Sequence, residues 1–142
     1  MLLISKYNQY KIYQDGVDIS GNDFYCRMGK QFASREIVKA LEEPMYDDNS
    51  HIWVLAYEGD TLAGFACLDT THLASKGSVI LTYAYIFPEH RQRGLHGILF
   101  DLRLQLAREM GAKLVKGVGN GHSNKKFIAH DFRLVRQNGR FA

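Results

Sequence analysis

The chain has 142 residues, of which 46% are hydrophobic and 23% are charged. Typical domains contain roughly 100–150 residues, so we expect residues 1–142 to form one domain. Eight tyrosines, eight phenylalanines and one tryptophan against two prolines supply a packed core and exclude a disordered chain. No apolar run approaches the ~18 residues that a membrane-spanning helix requires.

The start of the chain and its cysteines indicate where the protein resides. Residues 1–6 lack the basic start, long apolar stretch and small-residue cleavage site of a secretion signal. Cys26 and Cys67 are too few for a disulfide framework, and neither belongs to a C-x-x-C pair. We therefore expect a reduced, soluble, cytoplasmic protein in which both cysteines are small buried side chains.

Positive charge is concentrated in the second part of the chain. Residues 1–87 contain 7 Lys and Arg against 11 Asp and Glu, which is a net charge of −4. Residues 88–142 contain 11 against 4, which is a net charge of +7. A basic C-terminal part favours a phosphorylated cofactor, a nucleic acid or an acidic protein surface as partner. An ordinary solvated basic face is the alternative, and charge alone does not decide between them.

The first half of the chain changes from a helical to an extended pattern. Residues 11–19 are expected to form a strand or loop, and residues 20–41 are expected to be helical, as one helix or as two short ones. Ser34 is the expected N-cap of the second helix. A polar, turn-rich stretch at residues 42–50 precedes two β-rich runs with a glycine-containing turn between them, which predict a β-hairpin. These runs cover residues 51–57 and 62–68.

The second half begins with a strand and a long amphipathic helix. The strand, residues 78–87, follows a polar connection and ends at Pro88. The helix begins at residue 94 or 95 and ends near residue 110, where Gly111 is expected to stop it. Its apolar residues recur at the spacing of one buried face. That face comprises Leu95, Ile98, Leu99, Leu102, Leu106 and Met110.

Three further elements complete the predicted order. They are a strand at residues 113–118, a short helix at residues 123–130 and a final strand within residues 133–141. Helices and strands alternate after the hairpin, and this alternation predicts an α/β fold with a mixed sheet.

The turn between the strand 78–87 and the long helix has the composition of an anion site. Backbone N–H groups at a helix N-terminus lack intrahelical partners and attract anions, and the helix dipole adds to this attraction. Gly94 permits a tight turn and a close phosphate, while Arg91 and Arg93 add positive charge. The sequence therefore predicts a pyrophosphate site, with a plain strand-to-helix turn as the alternative. The P-loop and G-x-G-x-x-G patterns are both absent.

The same turn resembles the acetyl-CoA motif of the GNAT-type N-acetyltransferases. That motif is usually written V-x-P-x-x-[RQ]-x-x-G-x-[GA] and corresponds here to Ile86-x-Pro88-x-x-Arg91-x-x-Gly94-x-His96. His96 stands where the family has a small residue. The order of elements extends the resemblance over nearly the whole chain.

A second spacing strengthens the resemblance to this family. Asn120 stands twelve residues before Phe132, as the family often shows, although Asp131 replaces the usual glycine. The resemblance implies a single GNAT-like domain with a mixed, mostly antiparallel sheet flanked by helices. It also implies that an acetyl group passes directly from acetyl-CoA to an amine.

The resemblance implies roles for individual residues. The backbone of Ile86, Phe87 and Pro88 would lie along the pantetheine arm of the cofactor. Asn120 and Phe127 would meet the cofactor nearer its thiol end. The pyrophosphate would be held by Arg91, Gln92, Arg93, Gly94, Leu95, His96 and Gly97.

The sequence departs from the family at both expected catalytic positions. A tyrosine that protonates the departing thiolate commonly stands five residues before the motif phenylalanine, and that position is Phe127. The acidic base often lies on the third strand, on residues that alternate back from its end. Those residues are Ile86, Ala84, Thr82 and Ile80, and none is acidic. Both general acid–base roles are vacant at these positions.

Other side chains are candidates for the missing acid or base. His122 is one, because histidine titrates near neutrality, and Tyr85 is another. Tyr83, Glu89 and His72 are further candidates, with core packing or simple exposure as the alternative explanation. The histidine spacings do not fit a zinc site, so no metal is expected.

Two hypotheses about function follow. The first is an acetyl-CoA-dependent N-acetyltransferase whose acceptor is an amine of a small molecule or a protein. The second is a catalytically weak or inactive module of the same fold that uses a basic surface to bind a protein or nucleic acid. Aromatic residues are sparse among the basic ones, which disfavours nucleic acid. An open sheet edge near the C-terminus would favour a homodimer.

Overall fold

The computed structural model describes residues 2–7, 11–14, 17–19, 28–58, 61–118 and 140–141. Eight strands within these residues form one sheet in the order β3-β2-β1-β4-β5-β6-β7-β8. The strands are β1 (Leu2–Tyr7), β2 (Lys11–Gln14), β3 (Val17–Ile19), β4 (His51–Glu58), β5 (Thr61–Asp69), β6 (Ser78–Ile86), β7 (Leu114–Val118) and β8 (Arg140–Phe141). Neighbouring strands are antiparallel except β6 and β7, which are parallel. The predicted mixed, mostly antiparallel sheet is confirmed.

Helices cover both faces of the sheet. Residues 28–32 are helical, and the defined helices are α1 (Arg35–Leu41), α2 (Leu73–Lys76) and α3 (Leu95–Glu109). The Ser34 hydroxyl accepts a hydrogen bond from the Ile37 amide at 3.2 Å, so the predicted N-cap is confirmed. A short 3-10 turn at Pro88–His90 joins β6 to the segment before α3.

The core lies on both sides of β4 and β5. On one face, Ile37 of α1 packs with Trp53, Phe65 and Tyr83. On the other face, Leu99 of α3 packs with alternating residues of the same strands. All of β4 except its last residue is buried, which is typical of a central strand covered on both faces.

The sequence anticipates most of these elements but not β1. The hairpin of β4 and β5 is confirmed, and so are the strand β6, the helix α3 and the strand β7. The strand β1 lies beside β4, with Leu2 opposite Tyr57 and Lys6 opposite Trp53. A short apolar run carries too little periodicity to be assigned from sequence, which explains why β1 was not expected.

The buried face of α3 differs from the predicted one. The buried residues are Leu95, Leu99, Phe100, Arg103 and Ala107. Ile98, which the prediction placed in the core, is 38% exposed. Leu102, Leu106 and Met110 of the predicted face are partly buried and pack against the core, so the helix sits slightly rotated from the predicted stripe, with Arg103 on its inner face.

Some predicted elements lie outside the described residues. They include the helix at residues 123–130 and most of the final strand, of which Arg140–Phe141 form β8 beside β7. None of the helices in the described part of the chain is long and apolar enough to cross a membrane.

Candidate functional site

The strands β6 and β7 lie side by side over only part of their length. Ser78 pairs with Leu114, and the parallel register continues as far as Leu81 opposite Gly117. Among the described residues, none pairs with residues 82–86 on that side of β6. Within the part of the chain that the structure describes, the second half of β6 is consequently an open strand edge that leads towards the turn before α3.

The backbone at the end of β6 presents hydrogen-bonding groups to this open side. The Phe87 amide donates to the Ala63 carbonyl of β5 at 2.9 Å. Successive residues of a strand direct their N–H and C=O groups to opposite sides, so Ile86 directs its own groups away from β5. An extended amide-bearing chain can therefore pair with β6 at this edge.

A β-bulge interrupts β6 beside the open edge. Phe65 lies opposite Tyr85 and Cys67 opposite Thr82, so one residue of β5 faces two residues of β6. The two bulged residues of β6 are Tyr83 and Ala84. Tyr83 has a φ of 51°, which lies in the left-handed region that a tyrosine rarely adopts. Tyr83 and Tyr85 both pack on the α1 face of the sheet.

The bulge makes the sequence-based alternation along β6 wrong. Ala84 and Ile86 pack with Leu99 of α3, but before the bulge it is Leu81 that joins the α3 side. Residues counted by twos across a bulge therefore do not share one face. The strand contains no acidic residue on either face, so the expected position of the base is vacant in the fold as well.

Arg103 of α3 holds the backbone at this bulge. Its Nη1 donates to the Cys67 carbonyl at 3.1 Å and to the Thr82 carbonyl at 3.3 Å, and its Nε donates to the Leu99 carbonyl at 3.3 Å. The side chain is only 2% exposed. Burial lowers the pKa of the guanidinium to about 10, so it remains charged at neutral pH. A buried cation thus binds both strands where their ladder is irregular.

Arg103 is not among the residues predicted from the sequence, because arginine is rarely buried without an acidic partner. The available signal was its spacing: Leu95, Leu99, Arg103 and Ala107 follow each other at intervals of four residues. An arginine on the apolar stripe of a helix that covers a sheet indicates such a contact.

The turn that connects β6 to α3 is exposed and has two residues in the left-handed region. Gln92 has a φ of 65° and Gly94 a φ of 77°. Gly94 is the N-cap of α3 and has no side chain with which to bind the first-turn amides. A Cβ added at Gly94 would meet no atom within 4 Å, so the glycine leaves the space in front of the helix open.

The two arginines of the turn are both engaged within the protein. Arg93 and His90 donate to the Glu58 carboxylate at the end of β4, and the His90 Nδ1 lies 2.8 Å from it. The His90 hydrogen bond and the Arg93 charge lower the pKa of Glu58, against the opposing effect of burial. Arg91 donates from Nε to the Ile86 carbonyl at 3.0 Å and lies 5.6 Å from the centre of the Tyr85 ring.

The family of the chain follows from a comparison with family models. Residues 20–129 match the model described as the acetyltransferase (GNAT) family, which is more than half of the chain. The chain belongs to the GNAT acetyltransferase family. No curated protein matches the sequence.

Solved structures share the fold of this GNAT chain at low sequence identity. Escherichia coli ElaA has a TM-score of 0.72 at 12% identity, and the match covers 99% of this chain and 97% of ElaA. An acyl-CoA N-acyltransferase from Pseudomonas aeruginosa has a TM-score of 0.70 at 15% identity, with coverages of 99% and 97%. Rv2747 from Mycobacterium tuberculosis, determined in complex with CoA, has a TM-score of 0.58 at 15% identity, with coverages of 78% and 70%.

The GNAT chain places its sequence-predicted site residues in several environments. The predicted cofactor residues from Ile86 to Gly97 form one continuous segment along the open edge and the turn. Tyr85 is 6% exposed, and its ring contacts Phe65 at 5.9 Å and Phe87 at 5.3 Å. Asn120, His122 and Phe127 lie outside the described residues. Within the described part, no group of three potential metal ligands occurs.

A buried histidine lies at the other end of β4 from the turn. His51 is 1% exposed; its Nδ1 lies 3.0 Å from the Tyr46 carbonyl and its Nε2 lies 3.7 Å from the Asp69 carboxylate. Burial lowers the pKa of His51, but Asp69, Asp48 and the Tyr46 carbonyl outweigh it, so the pKa is raised. Burial opposes ionisation of Asp69 too, yet His51 and Thr71 lower its pKa to about 2. Both groups are therefore charged in mildly acidic solution.

The Asp69→Asn variant is expected to unfold more easily, most clearly between about pH 4 and 6.5. Because the pKa of His51 is higher in the folded protein than in the unfolded chain, protonated His51 stabilises the fold at pH values below its unfolded-state pKa. This contribution is lost as the pH rises through the folded-state pKa. Because the pKa of Asp69 is lowered on folding, the ionised carboxylate stabilises the fold above about pH 4. This stabilisation is lost as the pH falls towards 2 and the carboxylate is protonated. We expect a loss of about 1–2 kcal/mol near pH 5.5 and a smaller one at pH 3 and 8.5. Urea unfolding at the three pH values measures it, and a pH-independent loss would contradict the assignment.

Proposed function

We propose that this GNAT protein is an N-acetyltransferase that moves an acetyl group from acetyl-CoA directly to an amine. The observation that carries the proposal is the open edge of β6 over residues 82–86, which runs into the Gly94 turn. Family membership supports acyl transfer, and the continuous segment from strand edge to helix N-terminus supports a long substrate with a phosphate end.

The chain offers different groups to the two parts of acetyl-CoA. The Ile86 N–H, and the lone pair of the Ile86 carbonyl that Arg91 does not use, would pair with the amides of the pantetheine arm, as one strand pairs with another. The first-turn amides of α3 and the open space at Gly94 would hold the pyrophosphate. Because Arg91 and Arg93 are engaged with the Ile86 carbonyl and Glu58, backbone amides rather than arginine side chains carry most of this recognition.

The chemistry needs little more than positioning. A neutral amine forms a bond to the thioester carbonyl carbon, the C–S bond breaks, the amine loses a proton and the thiolate takes one up. Holding the two reactants together supplies much of the rate enhancement. The bulge at Tyr83 and its arginine brace fix the strand edge along which the acyl group would lie.

A calorimetric titration with acetyl-CoA tests the cofactor part of the proposal. We expect a dissociation constant on the order of micromolar, in the range of typical KM values. Desulfo-CoA should bind with similar affinity because it keeps the pyrophosphate and the pantetheine amides, whereas ATP should bind far more weakly. Binding of acetyl-CoA no tighter than ATP would contradict the assigned edge and turn.

Transfer is tested by following acetylated products with a panel of amines. We expect acetylamine formation that depends on both substrates and rises with pH as the amine loses its proton. Release of the thiol without an acceptor does not count as transfer. Tight acetyl-CoA binding with no product from any amine would favour the second hypothesis, a binding module of the same fold.

A further inference from the structure

Negative charge collects on the segment that connects α1 to β4. Residues 42–50 contain two glutamates and two aspartates but no lysine, arginine or histidine. Glu42, Glu43 and Asp48 are exposed. This acidic segment lies at the end of β4 opposite to Glu58, which is the residue that binds the basic turn. The adjoining His51, whose Nε2 lies 3.9 Å from Asp48, offsets part of this charge, but four carboxylates against one histidine leave this end of the central strand acidic and the Glu58 end beside the basic turn.

Aromatic rings line the sheet next to the acidic segment. Tyr46 of the segment is 56% exposed, and its ring lies 6.2 Å from that of Tyr83. Tyr83 in turn stacks on Trp53, with centroids 5.6 Å apart and an angle of 8° between the planes. Aromatic faces beside carboxylates are a favourable environment for an organic cation.

Tyr83 is a buried residue whose hydroxyl has no hydrogen-bond partner in the part of the chain that the structure describes. Tyr83 is 8% exposed, and its hydroxyl has no hydrogen-bond partner among residues 28–58 and 61–117. Buried polar groups normally have a protein or water partner, so a hydroxyl with none among the described residues is available to bind a ligand. Burial, and then the nearby Glu43 and Tyr46, raise the pKa of this hydroxyl, so it stays protonated.

We infer that the acceptor is an alkyl amine with a second positive charge, which the acidic segment attracts and which the Tyr83 hydroxyl binds. The inference rests on the proposed function and names the acceptor class for it. Tyr83 lies at the bulge where the open edge begins, three residues and about 10 Å along β6 from Ile86. A cation held there is next to the strand edge along which the acyl group would lie.

The distal charge of the acceptor is the property to vary. Cadaverine, 5-amino-1-pentanol and 5-aminovalerate have the same five-carbon chain, and the group distal to the reacting amine is positive, neutral or negative; the rate for cadaverine is halved to allow for its two equivalent amines. We expect kcat/KM for acetylation to fall by about tenfold or more at each step of this series. The differences should shrink as the salt concentration rises, because exposed charges are screened. Equal or reversed rates would overturn the inference.

Matched variants assign the preference to the acidic segment. The double variant Glu42→Gln/Glu43→Gln is expected to reduce the preference for cadaverine over 5-amino-1-pentanol by roughly fivefold and to leave the affinity for acetyl-CoA unchanged. The control, Asp101→Asn/Glu109→Gln, removes two exposed charges from α3 and should keep the preference. An equal effect of both variants would show a response to net charge and would overturn the assignment.

The Tyr83→Phe variant tests the hydroxyl while it keeps the ring. We expect the KM for cadaverine to rise by roughly fivefold, because a hydrogen bond to a cation is lost, with an unchanged affinity for acetyl-CoA. A change in acetyl-CoA affinity alone would mean that Tyr83 serves the strand edge and not the acceptor.

A final experiment distinguishes the two possible acceptors with a second positive charge, a lysine-rich protein segment and a free diamine. An N-terminally blocked peptide with one lysine among neutral residues is compared with the same peptide carrying two neighbouring lysines, and both with cadaverine. A higher kcat/KM for the lysine-rich peptide than for cadaverine assigns the acceptor to a protein, and the reverse assigns it to a free diamine. Acetyl-CoA binding with no transfer to any cationic amine overturns this inference alone, whereas no acetyl-CoA binding overturns the proposed function itself.

Discussion

The Gly94→Glu variant is expected to lose acetyl-CoA affinity by roughly 100-fold or more, because the new carboxylate repels the pyrophosphate and fills its place. Gly94 is the N-cap of α3, and a Cβ there points into open space with no protein atom within 4 Å. The added side chain therefore meets no protein atom, and the remaining cost is the strain of a non-glycine residue at a positive φ. Calorimetry with acetyl-CoA measures the loss.

The Gly111→Glu variant is the matched control for this prediction. Gly111 follows the same helix, has a φ of 79° against 77° for Gly94, and also has no atom within 4 Å of an added Cβ. Both variants therefore bear the same strain of a non-glycine residue in the left-handed region and the same new charge. We expect wild-type affinity from Gly111→Glu and a similar small loss of stability from both. Equal acetyl-CoA affinities of the two variants would remove the pyrophosphate from the turn.

Local signals were sufficient to predict most of the described elements. A capping serine, a hairpin turn between alternating runs and a proline at the end of a strand act within a few residues, and the structure has each of them. The turn before α3 was predicted as a unit for the same reason, since Pro88, Gly94 and the following apolar helix are contiguous. The resemblance to the family then gave the fold.

Contacts between segments that are distant in the chain could not be predicted from the sequence. The two arginines of the turn were expected to contribute free charge, but Glu58, 35 residues before Arg93, binds one of them. The bulge at Tyr83 was equally hidden, because it arises from the pairing of two strands rather than from a turn residue in either. That single extra residue reverses which side chains face α1 only for the part of β6 before the bulge, where Leu81 lies on the α3 side, and the absence of an acidic residue holds for both faces.

In the proposed enzyme, the two substrates are recognised at opposite ends of β4. At one end, Glu58 binds the side chains of the turn and leaves the backbone amides for phosphate. At the other end, exposed carboxylates and the rings beside Tyr83 suit a cation. An enzyme that joins an anionic donor to a cationic acceptor needs this separation, because each substrate would be repelled from the other's site.

The Arg103→Met variant is expected to lower the free energy of unfolding by about 2–4 kcal/mol, since it leaves buried acceptors without a donor. Arg103 donates to the carbonyls of Cys67 and Thr82, which lie at the bulge between β5 and β6. Methionine fills a similar volume and removes the cost of a buried charge, so the loss reports the unpaired carbonyls. Urea unfolding measures it.

The control is Arg108→Met, the same change at an exposed position of the same helix. We expect a loss below about 1 kcal/mol there, mainly from the interaction of Arg108 with the helix dipole. The folded Arg103→Met protein should also bind acetyl-CoA more weakly, because the edge of β6 begins at the bulge that Arg103 holds. Unchanged affinity with reduced stability would show that the arginine supports the core but does not position the strand edge. Losses in both quantities would establish that the brace between α3 and the bulge sets the geometry of the site.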